Sequence, residues 1–499
     1  MAVTGPGHGA GAAPPTRRGL SPRARVRSYD AHAWVGVVAS LLLHAMFFAG
    51  AFALFRSELE EWQDPRPLAD PSRLATPARL VDRLVAEHGL AGGEAWVRFP
   101  SPRRSLVEAH VRAGGSAEWR ELRLDPVTTA TATARSEVAD LLYQLHFLHH
   151  DRVPAGIYVA GVLGVAMLAA LVTGTVVHLR DLRGQLVRFR PERPMRSVWS
   201  DLHKVLGVLG LPFQIVVAWS GTLLCLWPLL LRGVAWPVAG GDFESAERLL
   251  IGWHEHAQPS GSAVAMPDVE ALVAAARAHE PAMDPEWMHV ELPGDAAGTF
   301  AVLGASSEAP FGTADVRLGA TDGALVHHGE PATETAGGAA LRWTVGLHFA
   351  RYGGAALRVA EALLAIGACA TILSGNWIWI ERRRARTAAP HASFLERLSV
   401  GAGLGIVAAT GVLLVTNRLL LPLAGRFAVA EVSAFFATWA ACTAFALGRA
   451  DARRSARVVL TIAAATLVAV PWLGALSTPL HLVGALAAGR FDIAGVDLG

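Results

Sequence analysis

Apolar residues run through this chain in blocks long enough to cross a bilayer, not in the short alternating patches of a soluble domain. A crossing needs roughly 20 mostly apolar residues. Seven stretches reach that length, at 34–55, 155–178, 205–231, 355–380, 398–417, 428–447 and 457–477. The first exceeds the roughly 7–15 apolar residues of a secretory signal, and Arg17-Arg18 lies well ahead of it, so it reads as a retained helix. Long polar segments separate the first span from the second and the third from the fourth.

Both polar segments carry mixed helix and strand patterns. In 56–150 a helical period follows Pro77 over 77–89, and strand-like runs follow near 95–99, 105–112 and 118–124. In 232–346 a helical pattern at 267–279 precedes runs near 286–292, 299–304 and 313–318, with Asp322-Gly323 as a turn. Each half therefore reads as span, helix-plus-sheet domain, span.

The spans repeat as well. Asp30-Ala31-His32 precedes span 1 and Asp201-Leu202-His203 precedes span 3, and glycines follow each His at the same offsets of 4 and 18 residues (Gly36 and Gly50; Gly207 and Gly221). Leu145-His146-Phe147 and Leu347-His348-Phe349 precede Gly174 and Gly375 by 28 and 27 residues from the His. Spans 5–7 lie outside this duplication and carry no chemistry-bearing motif.

Composition and charge fix the class and orientation. Of 499 residues, 52% are hydrophobic and 17% charged, against about 25% charged in soluble domains. A net charge of +2 gives no nucleic-acid footprint. The three cysteines, Cys225, Cys369 and Cys442, sit in apolar runs and form no disulfide framework. Arginines gather in the N-terminal arm (Arg17, Arg18, Arg23, Arg25, Arg27) and in 179–204 (Arg180, Arg183, Arg188, Arg190, Arg193, Arg196, with Lys204). They gather again in 381–397 (Arg382, Arg383, Arg384, Arg386, Arg397) and 448–457 (Arg449, Arg453, Arg454, Arg457), whereas 418–427 holds only Arg418 and Arg426. The positive-inside rule then predicts a cytoplasmic N-terminus and an external C-terminal tail. The expected organisation is a basic arm (1–31), span 1 (32–55), an external domain (56–150), and spans 2 and 3 with their loop (151–231). A second external domain (232–346), span 4 (347–385) and three further spans (386–499) follow.

Histidines carry the candidate chemistry. Of 19, those at 254, 256, 279, 289, 327 and 328 read as solvated surface residues of an external domain, and His391 as a loop residue. Five others cluster at two depths. His32, His178 and His203 mark the cytoplasmic ends of spans 1–3, and His146 and His348 precede spans 2 and 4 on the external side. A b-type haem takes axial imidazoles from facing helices, so two clusters at different depths point to two haems b and an electron path across the membrane. His32 with His203, or His146 with His348, supply opposed ligands. His178, with Trp379 at its repeat position, is a competitor or a third ligand. From His146 to His178 is 32 residues, about 48 Å if helical, which exceeds a roughly 30 Å core. His146 therefore belongs to the external interface or to a separate helical piece before Pro154, and His348 likewise. His44, His149 and His150 are weaker candidates. Metal transport would favour carboxylates inside the spans, where only Glu361 and Glu431 occur, without repeat partners. No GxGxxG dinucleotide signature, Walker A, HExxH or CxxCH occurs, so electrons must come from a quinol or a partner reductase.

The set His32-Ala33-Trp34-Val35-Gly36 with Gly50, Leu145-His146-Phe147, Ile157-Tyr158-Val159-Ala160-Gly161 and Leu171-Val172-Thr173-Gly174-Thr175-Val176-Val177-His178 carries a family resemblance. It continues through Trp199-Ser200-Asp201-Leu202-His203, Leu206-Gly207, Leu211-Pro212-Phe213, Leu347-His348-Phe349-Ala350-Arg351-Tyr352-Gly353-Gly354 and Ser374-Gly375. Over 28–385 the chain resembles the PepSY-associated transmembrane family, including iron-regulated membrane proteins. The resemblance implies two external PepSY domains on a multi-pass protein of the bacterial inner membrane. It also implies a link to siderophore-iron uptake, with some members thought to be haem-containing ferric-siderophore reductases. The expected fold is thus a polytopic α-helical membrane protein of about seven transmembrane helices, with two external α+β PepSY-like domains in a duplicated arrangement. The expected function is external reduction of a ferric siderophore or similar chelate. Two alternatives stand beside it: a non-enzymatic protein that binds a periplasmic partner through its PepSY domains, and a metal transporter.

Overall fold

The computed structural model describes residues 21–149, 155–178, 184, 189–252, 256–307, 311–329, 334–384, 390–423 and 425–498. Arg17, Arg18, Arg180, Arg183, Arg188, Arg386, His150 and His254 lie outside the described residues, as does the side chain of His391. Helix α1 (Pro22–Ala53) is span 1. It starts twelve residues before the apolar run because Ser21 accepts from Ala24 N–H (3.2 Å) and Pro22 needs no donor in the first turn. Helix α2 (Arg56–Gln63) and helix α3 (Pro77–His88) follow, then strands β1 (Glu94–Arg98), β2 (Val107–Arg112), β3 (Trp119–Leu124) and β4 (Thr131–Ala132). Helix α4 (Val138–His146) ends at its histidine, and α5 (Gly156–His178) is span 2, so His146 does sit on a separate helical piece.

Span 3, expected as one run, is broken at Gly210 into α6 (Met195–Leu209) and α7 (Leu211–Ala239). Pro212 has no N–H to donate backwards and begins a new helix instead. Helix α8 (Phe243–Ile251) and helix α9 (Val269–His279) precede β5 (Met283–Glu291), β6 (Thr299–Ser306), β7 (Thr313–Gly319) and β8 (Leu325–Gly329). The Asp322-Gly323 turn joins the last two, with Gly323 at φ +65°. Helix α10 (Ala336–His348) leads to span 4, α11 (Gly354–Arg384). Helix α12 (Pro390–Leu398), a π-helical segment (Ser399–Leu404) and α13 (Gly405–Leu420) make span 5; α14 (Ala428–Leu447) and α15 (Ala452–Ser477) are spans 6 and 7. Short helices α16 (Leu482–Ala487) and α17 (Phe491–Leu498) close the described chain. Seven described helical stretches are long and apolar enough to cross a membrane.

The polar segments do not make two sheets. They share one, in the order β4-β3-β2-β1-β5-β6-β7-β8, antiparallel throughout. Each four-strand half would leave its first strand as an unpaired edge, a row of open N–H and C=O groups. Pairing β1 with β5, in the register Ala95↔Val290 and Val97↔Met288, removes both edges. One face is apolar. Val97, Val111, Leu124, Met288, Phe300 and Val316 bury against Leu80 and Leu84 of α3 and Val269 and Leu272 of α9. Each such side chain contributes about 1.5–3 kcal/mol.

The opposite face is polar and turns toward the helix ends, where Arg123 meets Glu60 of α2 at 3.6 Å. At the β1/β5 seam Glu94 lies directly opposite Glu291, a like-charge pair. Buried Arg317 resolves it by donating to Glu291 Oε2 (2.8 Å) and His289 Nδ1 (2.9 Å), while His289 Nε2 donates to Glu94 Oε1 (2.8 Å). His289, expected at the surface, is fully buried and stacked on Trp96 at 3.9 Å. Burial pushes Glu291 up, but the hydrogen bonds from His256 and Thr299 and the charge of Arg317 outweigh it and hold the carboxyl at about 2.

Spans 5–7 dock on span 1 and on the sheet side. His44 Nε2 donates to the carbonyl of Gly403 (2.8 Å), which lies in the π-helical segment. Glu431 is buried and accepts from Ser136 Oγ (2.9 Å), Glu137 N (3.0 Å) and Asn417 Nδ2 (2.8 Å). Arg418 stacks on Trp62 at 3.5 Å, and the Trp62 indole donates to Asp497 (2.7 Å). Both His44 and Glu431 are thus framework groups.

The depressed Glu291 carboxyl contributes stability that is complete above its unfolded value of about 4.3 and is lost as pH falls through about 2. Thermal melts followed by circular dichroism should show stability falling between pH about 4.5 and 2. Arg317→Met should cost about 3–5 kcal/mol at neutral pH by stranding a buried carboxylate. A melting temperature indifferent to both would contradict this role for the seam.

Candidate functional site

Two histidine pairs are built alike at opposite ends of the first four spans. His32 on α1 and His203 on α6 hold their ring centroids 6.0 Å apart, with planes crossed at 74°. His146 at the end of α4 and His348 at the end of α10 are also 6.0 Å apart, inclined at 31°. Each ring is tethered through Nδ1. His32 Nδ1 donates to Ala170 O, His203 Nδ1 to Thr371 O and His146 Nδ1 to Met46 O, all at 2.8 Å. Ser220 Oγ donates to Val216 O (2.7 Å), so it accepts from His348 Nδ1 (2.8 Å). Fixing the proton on Nδ1 leaves the Nε2 lone pair as each ring's basic site.

A glycine lies against every one of these rings. A Cβ at Gly174 would fall 2.9 Å from His32 Cε1, at Gly375 3.1 Å from His203 Cε1, at Gly50 2.7 Å from His146 Nδ1 and at Gly221 3.1 Å from His348 Cε1. The repeat offsets now have a physical meaning. Eighteen residues make five full helical turns, so His32 and Gly50 share one face of α1, about 27 Å apart along the axis. Each repeat thus gives one pair its histidine and the other pair its glycine. Two residues after His146 and His348, Leu148 (φ +55°) and Ala350 (φ +49°) adopt the left-handed conformation, uncommon for side chains of this kind, and end each short helix.

A cavity of about 530 Å³ surrounds the His32–His203 pair, and His178 stands in its wall. Leu43, Met167 and Ile372 line it together with Tyr29, Trp34 and Trp379. At the other pair, burial holds His146 below the ordinary imidazole range, and burial with the neighbouring His146 pushes His348 down to about 3. Both are neutral bases at physiological pH. Two imidazoles bound through Nε2 to one metal, with bonds of about 2 Å, place their centroids roughly 6 Å apart. The residues present therefore fit a bis-imidazole group at each pair. His44 and His149 join neither ring pair, and His44 instead donates through Nε2 to Gly403.

Sequence reasoning singled out all four paired histidines but not their tethers. Three of the tethers are backbone carbonyls, which carry no sequence signal, and the fourth, Ser220, is marked only by adjoining Gly221. Elsewhere, Glu94, His256 and Glu291 bring ligand-type atoms within 4.8 Å of one another. Arg112 and Arg317 already neutralise the two carboxylates, so this group belongs to the seam network.

Fold and site together define a polytopic membrane protein whose first four spans carry two histidine pairs beneath a shared antiparallel sheet. Residues 29–382 match the family model for the PepSY-associated TM region, and the chain belongs to that family. It is similar to the uncharacterized protein PA4219 of Pseudomonas aeruginosa, with 29% identity over 383 residues, covering 72% of this chain and 90% of that protein. The family match ends at Arg382, so spans 5–7 lie beyond it.

Gly50→Ala should displace the His146 ring and cost about 1–3 kcal/mol, whereas Gly233→Ala, at an exposed position of α7 with nothing within 4 Å of the new methyl, should be neutral. Thermal denaturation in detergent compares them, and equal melting temperatures would contradict the close packing of ring on glycine.

Proposed function

We propose that this protein is a di-haem b-type electron-transfer protein of the bacterial inner membrane. In this reading it reduces a ferric siderophore or similar ferric chelate at the periplasmic face during iron uptake. The observation that carries the reading is the twofold recurrence of one construction: paired imidazoles with centroids 6.0 Å apart, each tethered through Nδ1 and seated on a glycine. Membership of the PepSY-associated family supports the membrane setting.

His32 and His203 would hold the cytoplasmic haem, His146 and His348 the periplasmic one. Bound haem supplies a one-electron Fe(III)/Fe(II) couple at each depth. The chain's own residues do the rest. The tethers at Ala170, Thr371, Met46 and Ser220 fix each imidazole's tautomer and raise its basicity. Helix α1 ties the two sites together. His178 borders the cytoplasmic site as an alternative ligand or a polar neighbour of the pair. Electrons enter from a quinol or a reductase. Siderophores bind Fe(III) through hard oxygen donors and Fe(II) far less tightly, so one electron releases the metal.

The test is a dithionite-reduced minus oxidised absorption spectrum of purified protein expressed with haem supplied, with haem-to-protein stoichiometry. Two b-type haems per chain are expected, reoxidised on adding a ferric hydroxamate. His203→Ala should lose one haem and His348→Ala the other. A flat spectrum would overturn the proposal and favour the partner-binding alternative.

A further inference from the structure

The cavity around His32 and His203 has a polar end and an apolar end. Its apolar wall is formed by Leu43, Met167 and Ile372, whereas Lys204, Arg382 and Arg383 reach it from α6 and the last turn of α11. Among the described residues of the lining Asp30 is the one carboxylate, and three cations accompany it. The next arginine along α11 differs. Arg384 is paired with Glu396 and lies 4.0 Å from Glu381, and Arg190 is paired with Asp201 at 2.9 Å. Among the described residues Arg382 and Arg383 instead lie on aromatic faces, Arg382 over Tyr29 at 4.5 Å and Arg383 over Trp379 at 4.6 Å and Trp34 at 5.6 Å. Stacking orients a guanidinium while leaving its N–H edge able to bind a carboxylate or phosphate. Cations at a helix C-terminus also favour the helix dipole, but that role does not require them to line a cavity.

We infer that this cavity takes its ligand edge-on, with two carboxylates at the mouth held by Arg382, Arg383 and Lys204. Resting on the reading above, these are the propionates of the cytoplasmic haem, and the mouth bearing them is the edge nearest the electron donor. The three residues are positioning residues. They fix the orientation of the group within the cavity, and their charge favours its reduced state.

The test uses the full-length protein in detergent. Haem loss to excess apomyoglobin and the two midpoint potentials are measured for wild type, for Arg382→Gln with Arg383→Gln, and for Arg384→Gln. In the double variant one of the two haems should transfer about tenfold faster, consistent with loss of charge-assisted hydrogen bonds, and should show a lower midpoint potential. The other haem and the Arg384→Gln protein should be unchanged. Lys204→Gln repeats the test from a different helix if the double variant is poorly folded. Wild-type loss rates and potentials in these variants would overturn this assignment alone. Wild-type protein without haem would overturn the reading of the paired histidines and this assignment with it.

Discussion

An imidazole seated on a glycine, with its Nδ1–H committed to the neighbouring helix, is the contact on which the arrangement of the first four spans depends. A Cβ at any of the four glycines would lie about 3 Å or less from the ring. Helices can approach this closely only where the side chain is absent. The tether then fixes ring orientation and tautomer together. Because α1 carries His32 at one end and Gly50 at the other, one rigid helix sets both pairs, whereas the matching His203 and Gly221 lie on α6 and α7, on either side of the break at Gly210.

The sheet imposes a second constraint. Joining the two polar segments edge to edge brings Glu94 and Glu291 face to face, and buried Arg317 and His289 make that junction tolerable. Since each segment is bounded by spans and carries one histidine of the second pair on its last short helix, the shared sheet also fixes how the two halves stand relative to each other. Spans 5–7 reinforce this from the side through Glu431, Arg418 and the His44–Gly403 hydrogen bond.

Much of this was legible in the sequence because it is periodic. The seven apolar runs match the seven candidate spans, and the runs near 95–99 and 299–304 are strands β1 and β6. The paired histidines and their glycines stood out by repeat spacing. What the sequence hid depends on long-range geometry. The β1/β5 pairing joins residues nearly two hundred positions apart, so no local signal announces it. His289 and Glu431 look like polar residues to be solvated or used, and only their partners reveal them as framework. The break at Gly210 was masked by the mostly apolar residues on both sides of it, although Pro212 marks it. Short helices α2 and α4 are amphipathic but only eight and nine residues long, too short for the helical period to stand out in the sequence.

The central claim, that each ring pair ligates one haem through both imidazoles, is tested most directly by low-temperature electron paramagnetic resonance of the oxidised protein. Crossed imidazole planes give a strongly anisotropic low-spin ferric signal, and more nearly parallel planes give a rhombic one. With planes at 74° in one pair and 31° in the other, one signal of each kind is expected, in equal amounts. Removing His203 should abolish the first, and removing His348 the second. A high-spin ferric signal in the intact protein, or no haem signal at all, would contradict it.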